Sequence, residues 1–100
     1  MATWHLDELR RALERRGWRS IELPGDDYRI SATWQLSRAG DDRVVHVDFD
    51  GLDDMQTLPI ERSYGCSLRE TGDGLYFRRR RSHELWLSEL RTFVDSLERG

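Results

Sequence analysis

His46, Asp48 and Asp50 stand two residues apart in the stretch HVDFD. On a β-strand such residues share one face, with Cα atoms about 6.5–7 Å apart. An imidazole and two carboxylates in a row can ligate a divalent cation, with water and substrate completing its shell. The same three side chains also suit a charged strand surface that keeps the protein soluble and pairs with arginines. The overlapping stretch DFDGLDD resembles a calcium loop, but its register fails. With Gly51 at the glycine position, His46 and Thr57 fall where an Asp and a Glu are required. Glycoside hydrolysis also uses paired carboxylates, yet an open sheet offers nothing to raise one pKa or to enclose a sugar.

A second stretch, LYFRRRRSHELW, carries Arg78, Arg79, Arg80 and Arg81 in succession. Alternation along a strand divides this run between two faces. With Leu75 and Phe77 turned inward, Tyr76, Arg78 and Arg80 form one outward row. Arg79 has inward parity and leans out at the sheet margin, and Arg81 precedes a helix cap. Residues 41 to 54 hold six Asp against one Arg, so two opposed charge blocks lie on one small sheet. They neutralise each other if their strands are neighbours, at a few tenths of a kcal/mol up to roughly 1 per exposed pair. Otherwise the row is available to protein carboxylates or to phosphates. Tyr76 suits base stacking, but an RNA-recognition sheet needs more than one exposed aromatic.

Other chemistry is constrained by composition. All 16 basic residues are arginine, which removes lysine bases, Schiff-base chemistry and lysine-dependent phosphate motifs. Cys66 is the only cysteine, so neither an intramolecular disulfide nor a cysteine metal cluster can form. Strand parity puts Cys66 on the apolar face and His46 on the polar one, which rules out a nucleophile–base pair. Ser82, His83 and Glu84 are contiguous at a helix start and cannot form a triad with one another. TGDG lacks the length and the lysine of a phosphate loop. His5 and His83, near helix starts, are expected at the surface. Trp18, Trp34 and Trp86 belong to apolar stripes, whereas Trp4 is a candidate contact anchor.

The elements that position these residues follow from periodicity. Leu6, Leu9 and Leu13 mark a helix over residues 3–16, with Thr3 as cap and Gly17 then Trp18 as a Schellman ending. A short strand runs from Trp18 to Leu23. In YRISATWQLS, Tyr28, Ile30, Ala32, Trp34 and Leu36 alternate with polar residues, which gives one dry and one wet sheet face. RVVHVDFD continues the pattern through Val45, Val47 and Phe49. Residues 52–59 fit either a helical turn or a loop. IERSYGCSLRE reads as a strand with Tyr64, Cys66 and Leu68 inward, and LYFRRRR is its return strand. Ser82 caps a last helix carrying Trp86, Leu90, Phe93, Val94 and Leu97.

The expected fold is a single α+β domain over residues 1–100. It is a two-layer sandwich of order α-β-β-β-β-β-α, with an antiparallel sheet of about five strands and both terminal helices on one face. At 100 residues, 35% charged, with net charge -3 and mean hydropathy -0.77, the chain can bury one modest core. Its N-terminus lacks the basic start and apolar run of a secretory signal, and no stretch reaches membrane-spanning length, so the expectation is a cytoplasmic protein with no membrane role. The layout resembles that of small acidic secretion-chaperone-like α+β proteins, which implies homodimerisation and binding of partner chains.

No catalytic residue, metal site or cofactor is assigned from sequence. The expected function is a small soluble interaction module, of adaptor, chaperone-like or inhibitor type, with another protein as partner. It would bind through the polar sheet face or an exposed sheet edge, using Tyr76, Arg78, Arg80, Asp48 and Asp50. The alternatives are a nucleic-acid-associated accessory protein using the arginine-rich strand 76–81 and, more remotely, a metal-dependent enzyme at His46, Asp48 and Asp50.

Overall fold

Leu6, Leu9 and Leu13 recur at helical spacing, and the chain coils over Thr3–Arg15 as α1. The structure, a computed structural model, describes residues 3–25, 30–53, 56–57, 60, 63–77 and 82–99. Gly17, at φ 83°, ends α1 in the expected Schellman motif. Trp18 N–H donates to the Leu13 carbonyl (3.0 Å) and Gly17 N–H to the Glu14 carbonyl (2.9 Å).

The strands follow as β1 (Arg19–Pro24), β2 (Ile30–Arg38) and β3 (Asp41–Asp50), then β6 (Gly65–Leu68) and β7 (Gly74–Tyr76). They form one five-stranded antiparallel sheet of order β1-β2-β3-β6-β7. Between β3 and β6, the described part of residues 52–59 is extended, which differs from the expected loop or helical turn. Leu52–Asp53 (β4) pairs with Gln56–Thr57 (β5) as a small separate hairpin. The last helix, α2, spans His83–Arg99, and Leu85 N–H donates to the capping Ser82 hydroxyl at 3.2 Å.

Both helices cover the same sheet face. Their apolar stripes and the inward residues of the sheet make one core, in which Leu9, Trp34, Leu36, Val47, Phe49 and Trp86 are fully buried. Cys66 and Leu68 join it as parity predicts, whereas Tyr64 does not and stands 60% exposed. Just before it, the Ser63 hydroxyl lies between the Asp50 and Gly65 carbonyls (2.6 and 2.7 Å). Regular β6 begins only at Gly65, so the alternation does not extend back to Tyr64. Phe77 packs partly buried against the core. Polar ties then fix the layers together. Arg16 pairs with Asp95 across the two helices, and Arg43 reaches from β3 to the Leu97 carbonyl near the end of α2.

His5 corrects the sequence reading. It is only 1% exposed, because it lies one turn before Leu9 and so extends the apolar stripe of α1. Its ring stacks on Trp4 (centroids 3.6 Å apart) and on Phe77, and meets Trp86 edge-on at 4.8 Å. Neither ring nitrogen has a hydrogen-bond partner among the described residues. Desolvation chiefly, then the charge of the chain's amino terminus and of His83, lowers its pKa to about 4. Between that value and the ordinary 6.5 the unfolded chain binds the extra proton. Stability is therefore full above about pH 6.5 and falls as the pH drops toward 4, by up to about 3 kcal/mol. Urea unfolding at pH 7.5 and 4.5 should show this loss in the native protein and a shallower one in His5→Phe; equal losses would acquit His5.

Candidate interaction face

The sheet face turned away from the helices holds the chemistry. Asp48 lies toward the end of β3, directly opposite Thr33 of β2 on one side and Ser67 of β6 on the other. It accepts a hydrogen bond from the Thr33 hydroxyl at 2.7 Å. The Arg69 guanidinium, just past the end of β6, donates to both of its oxygens, from Nη2 at 2.7 Å and Nε at 3.1 Å. This is the bidentate geometry for which arginine is suited and lysine is not. Burial alone would raise the Asp48 carboxyl. The bonds from Arg69 and Thr33, and the Arg69 charge, outweigh that and hold it below the ordinary carboxylate value.

A second pair lies beside it. His46 shares the face with Asp48, and its backbone N–H donates to Glu70 Oε1 at 2.8 Å while Nδ1 meets Glu70 Oε2 at 2.9 Å. Glu70 thereby fixes the imidazole orientation and leaves Nε2 as the other ring nitrogen. The Glu70 carboxyl is lowered despite some burial, because it accepts from the His46 backbone and ring. Asp50 differs. Desolvation first, and the Asp48 charge second, raise its pKa, even though the residue as a whole is exposed at the end of β3.

The proposed metal row is thus drawn in separate directions. His46 engages Glu70, and Asp48 engages Arg69 and Thr33. Among the described residues no three His, Cys, Asp or Glu side chains are placed to hold a metal ion. Cys66 lies on the opposite face, 3% exposed, and burial pushes its thiol up.

Of the five residues singled out for partner binding, Asp48, Asp50 and Tyr76 are described. Tyr76 is 56% exposed on the same polar face, but β6 separates its strand from β3. Arg78 and Arg80 lie outside the described residues. Strand β7, which precedes the arginine run in sequence, does not neighbour β3, and the described partner of Asp48 is Arg69. Sequence reasoning missed Thr33, Arg69 and Glu70. All three are ordinary in the linear chain, and only the pairing of β3 with both β2 and β6 gathers them. Ile21 (58% exposed) and Val44 (44% exposed) add apolar points near the rim of this face.

Comparison with protein-family models, with curated proteins and with solved structures returns no match. Among the described residues no helix is long and apolar enough to cross a membrane.

The pairing at Asp48 has a measurable weight. Asp48→Asn should lower the unfolding free energy at pH 7 by about 1 kcal/mol, since Arg69 then loses the charge it clasps in a half-screened setting. A double-mutant cycle with Arg69→Met, followed by urea unfolding, should return a coupling of about 0.5–1 kcal/mol. A coupling of zero would make the clasp a surface contact without energetic content.

Proposed function

We propose that this protein is a small interaction module, of adaptor, chaperone-like or inhibitor type, whose partner is another protein. The observation that supports this most directly is the fixed charge pattern on the helix-free face. Asp48 is held by three hydrogen bonds and His46 by two to Glu70, so these groups keep their positions without a partner. Ordering long charged side chains on binding is a recurring cost of association, and a pre-set pattern reduces it. Around that pattern Ile21, Val44 and Tyr76 offer the exposed apolar and aromatic points that interfaces favour. In this reading Tyr76, Arg78 and Arg80 meet acidic groups of the partner, and Asp48 and Asp50 meet basic ones. A second copy of the chain is one such partner.

The accessory role on nucleic acid remains the second reading because of Tyr76, whose exposed ring directly precedes the arginine run by two residues. Its mark is salt dependence, which reports how many phosphates a protein neutralises.

A tagged pull-down from the native host, with and without nuclease, separates the two. The interaction reading expects a near-stoichiometric protein that survives nuclease and is lost, at least ten-fold, with Tyr76→Ser combined with Asp50→Asn. Recovery that vanishes with nuclease, together with an affinity for single-stranded RNA that falls steeply with salt and less steeply in Arg78→Ala, would replace it with the second reading.

A further inference from the structure

The two edges of the sheet are built differently. β1 carries Arg19, Glu22 and a terminal Pro24, and charge and proline are what keep an edge strand from recruiting another. β7 is Gly74-Leu75-Tyr76 and has none of these within the strand. Its backbone directions follow from its neighbour. Leu68 N–H donates to the Asp73 carbonyl and Phe77 N–H to the Tyr64 carbonyl, so residues 73, 75 and 77 direct their hydrogen-bonding groups at β6. Gly74 and Tyr76 direct theirs the other way. The Tyr76 carbonyl accepts from Trp86 Nε1 of α2 at 2.8 Å. The Gly74 N–H and C=O face outward from the last strand of the sheet, where no further strand among the described residues meets them.

Beside this edge, between β7 and α2, runs an open groove of about 500 Å³, within the range of ligand clefts. The small side chains Ser88, Thr92 and Ser96 leave this space unfilled, and Phe93 and Leu75 give it an apolar floor. Asp73 and Glu89 supply carboxylates to its lining.

We propose that the groove between β7 and α2 receives an extended peptide segment of a partner protein, which adds to the sheet as a sixth strand by exchanging both backbone hydrogen bonds with Gly74. This rests on the interaction reading above and assigns it an edge and a partner chemistry. A residue opposite Gly74 turns to the polar face, and its two neighbours turn toward Phe93 and the hydroxyls of α2. The segment that fits therefore alternates apolar with polar side chains and carries basic residues that complement Asp73 and Glu89. Main-chain bonds supply affinity in this mode, and alternate side-chain positions supply selectivity.

Gly74 makes the idea testable. A Cβ there meets only the Cys66 carbonyl oxygen, at an ordinary 3.6 Å, and its φ is not positive. Gly74→Pro deletes the outward donor without removing a bond to β6, and Gly74→Ala keeps that donor. Thr92→Trp fills the groove from an exposed helix position and leaves β7 untouched. The probe is an acetylated, amidated heptapeptide, Arg-Val-Thr-Val-Thr-Val-Arg, titrated into the full chain and followed by amide NMR shifts.

Saturable shifts at residues 73–76 and along Ser88–Ser96, weakened at least ten-fold by Gly74→Pro and by Thr92→Trp but not by Gly74→Ala, are the expected result. Shifts confined to β1, or to His46, Asp48 and Arg69, would overturn the groove while leaving an interaction module in place. No shift up to millimolar peptide would also overturn the groove, and the pull-down would then decide the wider reading alone. A thermal melt of each variant checks folding, and the two blocking variants act from different elements, so one misfolded protein does not void the test.

Discussion

A sheet covered on one side only must sort its residues by parity, and the central strand β3 does this most strictly. Val45, Val47 and Phe49 enter the core, while His46 and Asp48 face away from the helices. A one-residue slip of β3 would place Asp48 beneath the helices and Phe49 in water, exchanging apolar burial worth about 2 kcal/mol for a buried charge. The pairing of Thr33 and Ser67 with Asp48 on either side therefore belongs to the same constraint as the packing of Trp34 against Phe49. The polar face is ordered because the dry face permits one register.

Three ionisable groups show how environment divides like residues. Asp48 and Asp50 are two apart on one strand, yet one carboxyl is lowered and the other raised. Arg69 and Thr33 meet the first, whereas desolvation and its neighbour's charge dominate the second. His5 takes this further: it sits among aromatic rings without a hydrogen bond from the described residues, so burial disfavours its charged form. Trp18, whose indole N–H likewise has no partner among the described residues, is covered by the Arg38 guanidinium 4.4 Å from its ring, an attraction that offsets part of that cost.

How much of this could be read in the chain depends on the distance over which the signal acts. The α-β-α layout, the Gly17–Trp18 helix ending, the Ser82 cap and the apolar stripes are local patterns of period 2 or 3.6, and the fold class followed from them. His5 was misplaced although it continues the Leu9–Leu13 row, because its polarity was weighed above its position. Tyr64 was misplaced for the opposite reason: period-two alternation was extended past the point where Ser63 ends the regular strand. The Asp48–Arg69 and His46–Glu70 pairs were not legible at all. They require β6 to lie between β3 and β7, and charge blocks in sequence carry no information about strand order.

That strand order also decides which surfaces are open. Because β6 inserts next to β3, β7 is pushed to the margin and becomes an edge beside α2 instead of an inner strand facing the acid block. Trp86 is then placed to bond the outward Tyr76 carbonyl, which holds α2 against one end of β7. Further along the helix, Ser88, Thr92 and Ser96 place small hydroxyl side chains beside β7, and the groove lies there. A large residue at Thr92 would have extended the core and closed the edge, as natural sheets do when an edge has no use. The contrast with β1, guarded by charge and proline at the other margin, is a difference in side-chain chemistry between two edges of one sheet. It sets Gly74, rather than the charge-bearing centre of the face, as a point where backbone hydrogen bonding is still open among the described residues and no charge or proline guards it.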